Sequence, residues 1–251
     1  GIDGFQRAGA QVIMNPVLQC EGLTVSFGAV RAVSELSFSF LPDRIYSIIG
    51  PNGAGKTTLM NALSGRLAPS AGRVLLDGQD VTALAPHERA LAGLGRSFQI
   101  TQIFAGFTVR ENLRVAAIAR ERQSFRFWRR LASSHRALER ADEVLEQIGL
   151  TGQADTPAEV LSHGDQRALE LGLTLVANPR VLLLDEPLAG VGHHRLEQSV
   201  ELLSRVVSGR TVLLIEHNID LVMNLSQEIL VMVQGRILAS GKPADVRRDP
   251  A

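Results

Sequence analysis

Several residue types and features are scarce in this chain. Its one cysteine, Cys20, excludes an internal disulfide, so we expect a protein of a reducing compartment. The longest apolar runs, such as the one that ends at Leu184, fall far short of the roughly 20 residues that cross a bilayer. Lysine is also rare, because Lys56 and Lys242 are the only two and arginine supplies nearly all the positive charge. A lysine in a chain that otherwise uses arginine for its positive charge indicates a chemical role for that lysine.

Charge and composition limit the classes of partner. Lys+Arg and Asp+Glu both number 26 among 251 residues, so the formal net charge is +0 and gives no overall attraction to nucleic acid or anionic lipid. With 45% hydrophobic and 21% charged residues, the chain has the composition of a folded protein with one sizeable core or two small ones. We interpret residues 1–13 as a leader ahead of a natural start at Met14, and a short native tail as missing after Ala251.

The hydrophobic pattern predicts an α/β core that is interrupted by helices. Alternating and apolar runs over residues 17–49 predict strands, and the character changes to helical over residues 108–177. Strands separated by helical periods return after residue 178, which is the order of an α/β fold. Thr108 and Glu111 have the spacing of a capping box at the start of a helix.

A glycine-rich turn joins a predicted strand to a predicted helix. The sequence Gly50-Pro-Asn-Gly-Ala-Gly-Lys56-Thr57 satisfies the phosphate-loop pattern in the context that its mechanism requires. The glycines let backbone N–H groups point at phosphate oxygens, and the helix adds about half a positive charge at its N-terminus. We expect Lys56 to reach the β- and γ-phosphates and Thr57 to offer its hydroxyl to Mg²⁺. The predicted nucleotide-binding residues here are Asn52, Gly53, Ala54, Gly55, Lys56, Thr57 and Thr58.

A second apolar strand, over residues 181–184, ends in two carboxylates. A parallel α/β sheet places its ligand crevice at this edge, so Asp185 is predicted to hold Mg²⁺. Glu186 points elsewhere because side chains alternate along a strand, and it is predicted to orient or deprotonate an attacking water. Taken alone the pair also fits a solvated strand end, so the assignment depends on the phosphate loop.

A third motif, Leu161-Ser162-His163-Gly164-Asp165-Gln166-Arg167, opens an apolar-periodic helix. It resembles the signature motif of ATP-binding cassette (ABC) proteins, and the resemblance covers nearly all of residues 14–250. This implies an α/β fold: a P-loop NTPase (RecA-like) core with an N-terminal antiparallel β subdomain and an inserted α-helical subdomain. The implied parts are residues 14–98 for the core with the β subdomain, 99–177 for the helical signature subdomain, and 178–251 for the second part of the core.

Three single residues take a role from this resemblance. Gln99 follows a short strand where the family has its glutamine loop, which implies contact with Mg²⁺ and the attacking water. His217 follows another strand where the family has its switch histidine, which implies hydrogen bonds to the γ-phosphate and to Glu186. Phe27 lies where such proteins stack an aromatic ring on adenine. Without the resemblance, these residues fit a surface amide, a structural histidine and core packing.

The signature motif predicts a second anion site. Ser162 is predicted to cap a helix whose dipole and N–H groups, including that of Gly164, attract an anion, although a plain helix cap is the other interpretation. Because the chain already has a phosphate loop, we expect each signature to bind the γ-phosphate held by a second ATPase subunit, so that ATP joins the two and hydrolysis parts them.

The chain also shows a narrower resemblance, to ATPase subunits of bacterial importers for branched-chain or other hydrophobic amino acids or urea. The residues that carry it are Ser-His-Gly in the signature and Leu-Ala-Gly-Val-Gly, which follows shortly after Glu186. This resemblance implies separate integral-membrane permease subunits, an extracellular or periplasmic solute-binding protein acting indirectly, and a location on the cytoplasmic face of the membrane. No nucleic-acid partner is expected.

Two positions depart from the family pattern. Asp165 stands where glutamine is common, and we predict that its carboxylate folds back on the Ser162 N–H, with Arg167 neutralising it. Gly192 replaces an aspartate that signals across the dimer in most cassettes, which puts communication between the sites in doubt. Residues 110–140 carry nine arginines against three glutamates and fit either a solvated helical hairpin or a face near the membrane surface.

The sequence thus predicts an importer ATPase that uses ATP and Mg²⁺. A soluble cassette ATPase of DNA repair or translation is an alternative. Such a protein is expected to have a coiled-coil arm, tandem cassettes or an excess of basic residues, and this sequence shows none of these. A weakly hydrolysing, nucleotide-gated regulatory subunit is a second alternative, which Asp165 and Gly192 suggest.

Overall fold

The computed structural model describes residues 15–97, 103–123, 132–187 and 196–247. The strands are β1 (Leu18–Phe27), β2 (Val30–Phe40), β3 (Ile45–Ile49), β4 (Ala71–Leu76), β5 (Gln79–Asp80), β6 (Leu94–Arg96), β7 (Val181–Asp185), β8 (Thr211–Ile215), β9 (Glu228–Val233) and β10 (Arg236–Gly241). The α-helices are α1 (Lys56–Leu63), α2 (Pro86–Leu91), α3 (Val109–Gln123), α4 (Ala132–Gln147), α5 (His163–Leu175), α6 (Leu196–Val207), α7 (Ile219–Leu225) and α8 (Pro243–Val246).

A six-stranded sheet carries the core of the fold, in the order β10-β9-β3-β8-β7-β6. The pairs from β9 to β6 are parallel, and β10 is an antiparallel edge strand. Both faces of this sheet are covered, since Val181 and Leu183 belong to one apolar cluster while Leu182 and Leu184 belong to another. This is why β7 is apolar throughout, as is typical of a central parallel strand.

A four-stranded antiparallel sheet, in the order β2-β1-β4-β5, forms the predicted β subdomain. On β2, Leu36 and Phe40 are buried while Ser37 and Ser39 are exposed, which confirms the predicted alternation. Helix α1 contributes to the cluster that this sheet shares with β3 and β9. The phosphate loop therefore lies between the two sheets.

Helices α3, α4 and α5 form the helical part and share an apolar cluster with α6 and one face of the six-stranded sheet. The predicted capping box starts α3: the Thr108 N–H donates to Glu111 Oε2 at 2.8 Å, and the Glu111 N–H donates to Thr108 Oγ1 at 3.2 Å. The uniform helical interpretation of residues 108–177 is wrong over residues 148–162, where 3-10 turns and loops intervene. Gly149, with φ 74°, and Pro157 lie in this stretch, and both disfavour a continuous helix.

Within the described residues, no helix combines the length and the apolar character that crossing a bilayer requires. The predicted leader and the predicted tail lie outside these residues. The boundaries at residues 98/99 and 177/178 stay predictions.

Candidate nucleotide-binding site

The loop between β3 and α1 is fixed by close packing against two other segments. Gly50 has φ 150°, and a Cβ there would overlap the carbonyl oxygen of Met232 on β9. Gly55 has φ 98°, and a Cβ there would overlap the carbonyl oxygen of Ala32 on β2. Only glycine fits either position, because it alone tolerates both the backbone angle and the contact.

The start of α1 has the groups that a polyphosphate needs. Within the part of the chain that the structure describes, no side chain caps the helix at Gly55, so its N-terminal N–H groups face the loop. The Lys56 side chain is buried and folds along the loop, where its Nζ donates to the carbonyl oxygens of Gly50 at 2.7 Å and Pro51 at 3.0 Å. The loop and Lys56 together form a cationic cradle that fits the phosphates of ATP.

A pocket of about 340 Å³ joins this loop to the ends of β7 and β8. His217 Nε2 lies 2.8 Å from Glu186 Oε1, which is the contact predicted between these two residues. Glu186 has φ 49°, a left-handed conformation that is uncommon outside glycine, and its N–H donates to the Ile215 carbonyl oxygen at 2.9 Å. Such strain is typical of a functional site. The pocket is lined by Ala32, Asn52, Gly53, Ala54, Gly55, Lys56, Thr57, Thr58, Glu186, Ile215 and His217.

Asp185 directly precedes Glu186, which lines this pocket, and its carboxylate is almost completely buried. Among the described residues, neither of its oxygens has a hydrogen-bond partner, and its ion-pair contact is with Arg96 Nη2, 3.8 Å from Oδ2. Burial raises the pKa of Asp185 above its ordinary value, and the Arg96 charge opposes this rise. The two Asp185 carboxylate oxygens, together with the exposed hydroxyl residue Thr57 in the lining of the pocket, fit Mg²⁺, which takes oxygen ligands and completes its shell with phosphates and water.

Residues 33–189 match the ABC transporter family. The chain belongs to the ABC transporter family. It is 39% identical over 247 residues to the high-affinity branched-chain amino acid transport ATP-binding protein LivG of Escherichia coli K12. This alignment covers 94% of the chain and 95% of LivG. It is 38% identical to the corresponding protein BraF of Pseudomonas aeruginosa, with the same coverage. A crystal structure of an ATP-binding cassette of an ABC transporter in its ADP conformation superposes with a TM-score of 0.80 at 32% identity, covering 94% of this chain and 96% of that one.

These likenesses confirm the predicted family, the P-loop NTPase fold and the ATPase activity. The cassette is thus an ATP-binding and ATP-hydrolysing subunit of a transporter. The alternative of a soluble cassette ATPase for DNA repair or translation is not favoured.

The signature motif of the cassette caps α5 as predicted, and the Asp165 carboxylate accepts a bond from the Ser162 hydroxyl, which sequence analysis did not predict. The Asp165 N–H donates to Ser162 Oγ at 3.2 Å, while the Ser162 hydroxyl donates to Asp165 Oδ2 at 2.6 Å. The predicted neutralisation by Arg167 is wrong, because Arg167 Nη1 lies 3.4 Å from Glu170 Oε2. Residues three apart on a helix share a face, whereas Asp165 and Arg167 are two apart and point in different directions.

Sequence reasoning missed Arg96, which links three parts of the cassette. Its side chain is nearly buried, and Nη1 donates to Asn61 Oδ1 at 2.8 Å and to Ser64 Oγ at 2.7 Å, both at the C-terminal end of α1. With Asp185 on its other side, Arg96 connects β6, β7 and α1. The available signal was an arginine that ends a short apolar strand directly ahead of the Gln99 loop.

Some predicted site residues are not brought together with the pocket. Ser162 and Gly164 do not line it, and neither does Phe27, whose side chain is 55% exposed at the end of β1. Gln99 and Gly192 lie outside the described residues, as do the central side chains of the basic segment, residues 121–134. Adenine stacking by Phe27 and Mg²⁺ contact by Gln99 stay predictions.

Proposed function

We propose that this chain hydrolyses MgATP as one half of a dimer and thereby powers the uptake of branched-chain or other hydrophobic amino acids through a separate permease. The identity of 38–39% to LivG and BraF, over 94% of the chain, supports this solute class. One observation carries the dimer: the pocket brings Lys56, Glu186 and His217 together but includes no residue of the signature motif. One chain therefore supplies only part of an enclosing site.

Within the pocket, each residue has a task that its geometry suits. Lys56 and the start of α1 bind the phosphate charge and orient the γ-phosphate. Asp185 and Thr57 would hold Mg²⁺, which would supply Lewis-acid stabilisation of the phosphate charge. Glu186 orients the attacking water and accepts its proton, and His217 holds the Glu186 carboxylate through their 2.8 Å contact.

The position of α5 supports a role of the signature motif in the site of another subunit. Helix α5 packs against α3, α4, α6 and β6, away from its own phosphate loop. Ser162 and Gly164, which are only half-buried at the start of that helix, can therefore bind the γ-phosphate held by a second ATPase subunit. Hydrolysis removes the shared phosphate, and the two subunits separate.

An apolar groove next to the nucleotide site suits the permease. It has a volume of about 360 Å³ and lies between α2 with β6 on one side and α3 with α5 on the other. Phe104, which lines it, is 52% exposed and has its ring centroid 5.4 Å from that of the exposed Phe107. Arg96 lines the same groove, so a segment seated there contacts the residue that neighbours Asp185. We assign this groove to an apolar helix of the permease, which fixes the cassette at the cytoplasmic face of the membrane.

The Glu186→Gln variant tests the ATPase and dimer parts of this proposal. We expect phosphate release to fall by about 10²- to 10⁴-fold, because the water loses its base, while ATP binding persists. In MgATP the variant should elute as a dimer on gel filtration, and the double variant with Ser162→Ala should remain a monomer. Glu201→Gln, an exposed substitution on α6, is the matched control and should behave as wild type. Equal, near-zero rates for wild type and Glu186→Gln would favour the regulatory subunit instead.

Co-purification tests the permease groove. Phe104→Glu should release the cassette from solubilised permease subunits while leaving ATP binding intact, because it places a charge in an apolar contact. Leu238→Glu is the control, since Leu238 is also exposed, at 57%, but lies on β10. Loss of the permease with both variants, or with neither, would contradict the assignment. ATP-dependent uptake of leucine by the reconstituted complex tests the solute class.

A further inference from the structure

The hydroxyl of the signature serine is already used inside its own chain. Ser162 Oγ donates to Asp165 Oδ2 at 2.6 Å, the distance typical of a strong hydroxyl–carboxylate bond, and accepts from the Asp165 N–H at 3.2 Å. A serine hydroxyl has a single hydrogen to donate. While that hydrogen is bonded to Asp165, Ser162 has none for a phosphate oxygen.

The charges around this bond also oppose an incoming anion. Asp165 lies in the first turn of α5, where its negative charge offsets the positive end of the helix dipole. The nearby cation on the helix, Arg167, contacts Glu170 rather than Asp165. A γ-phosphate that approaches Ser162 would therefore be repelled by the Asp165 carboxylate, because the side chain of Arg167 does not neutralise that carboxylate.

We propose that Asp165 is an intramolecular latch on Ser162, which raises the ATP concentration that two subunits need to associate. Asp165 is a positioning residue: it acts through the serine and touches no reacting atom. The inference rests on the proposed dimer, in which Ser162 binds the γ-phosphate of the second subunit. Association then requires the serine hydroxyl to leave Asp165, so the latch favours separated subunits whenever MgATP is scarce.

The test compares variants in the Glu186→Gln background, in which bound ATP is not consumed. The measurement is the MgATP concentration for half-maximal dimer, obtained by sedimentation at fixed protein concentration. We expect Asp165→Asn to lower this concentration by about tenfold, because the amide oxygen accepts a weaker bond from Ser162 than the carboxylate does and carries no charge that repels the phosphate. Asp165→Gln, which introduces the residue common in the family, should act in the same direction.

Two controls separate the latch from a general effect of charge or of folding. Glu159→Gln removes an exposed carboxylate three residues ahead of Ser162, and it should leave the half-maximal concentration within about twofold of the parent. Asp165→Asn keeps the cap bond, because the cap uses the backbone N–H of residue 165, so the variant should still unfold cooperatively without nucleotide, which shows that it is folded.

A cycle with Ser162→Ala gives the decisive outcome. The Glu186→Gln/Ser162→Ala variant is expected to stay monomeric, and without the hydroxyl Asp165 has nothing to hold, so adding Asp165→Asn should not restore association. The latch is overturned if Asp165→Asn restores association there, if Glu159→Gln lowers the half-maximal concentration as much as Asp165→Asn does, or if Asp165→Asn weakens association in a parent that dimerises. A Glu186→Gln parent that stays monomeric in saturating MgATP would overturn the proposed function itself, and the latch with it.

Discussion

The phosphate loop and the signature motif are stabilised in opposite ways. The loop is fixed by the backbone of Ala32 and Met232, which are far from it in sequence, through contacts that only Gly50 and Gly55 permit. The signature is fixed by bonds between residues three positions apart. The difference shows that the conformation of the loop depends on tertiary contacts, whereas the start of α5 is a local arrangement whose hydrogen bonds a single substitution can change.

This contrast extends to the charged residues beside each motif. Arg96 joins Asp185 to the end of α1 across the core, so the nucleotide side depends on a buried ionic contact between distant segments. Arg167 and Glu170 pair along one helix, with Arg167 partly exposed. A change on the nucleotide side should therefore affect folding and catalysis together, and a change at the signature should affect association far more than folding.

The largest expected effect follows from removing the buried cation. Arg96→Met leaves the Asp185 carboxylate buried without its neighbouring charge, which should lower the free energy of unfolding by about 3–5 kcal/mol. Urea unfolding measures this. Arg44→Met is the control, because Arg44 is 40% exposed and its ion pair with Glu228 is long, at 3.9 Å. This variant should lower the free energy of unfolding by less than about 1 kcal/mol. Equal losses would show that the nucleotide side is not held by this buried contact.

The next effect concerns the phosphate loop itself. Lys56→Ala removes the cation that is folded along the loop, and phosphate release should fall by about 10²- to 10³-fold, as for loss of a preorganised electrostatic contact. Binding of a fluorescent ATP analogue should weaken in parallel. Lys242→Ala, at the other lysine of the chain and on an exposed position, should match wild type in both assays. A similar loss in the two variants would point to total charge rather than to position.

The same contrast explains which features could be predicted from the sequence. The phosphate loop and the carboxylates at the end of β7 were accessible because compact sequence motifs encode their positions, and the His217–Glu186 contact was accessible because the family resemblance implies it. The capping of α5 was accessible because its partners are three residues apart. Arg96 was not, since its bonds to Asn61 and Ser64 depend on how β6 packs against α1, which no local spacing encodes. Spacing also did not predict that Asp165 would accept from the hydroxyl of Ser162.

The smallest effect tests whether the signature is a local arrangement. Ser162 and Thr108 both cap helices by accepting the N–H of the third residue along, at 3.2 Å in each case. Replacing either by alanine should lower the free energy of unfolding by about 1 kcal/mol, the usual value of such a cap. In the Glu186→Gln background, only Ser162→Ala should prevent MgATP-driven association. If Thr108→Ala also prevented it, association would depend on the stability of the whole helical part, and the distinction between a tertiary loop and a local signature would fail.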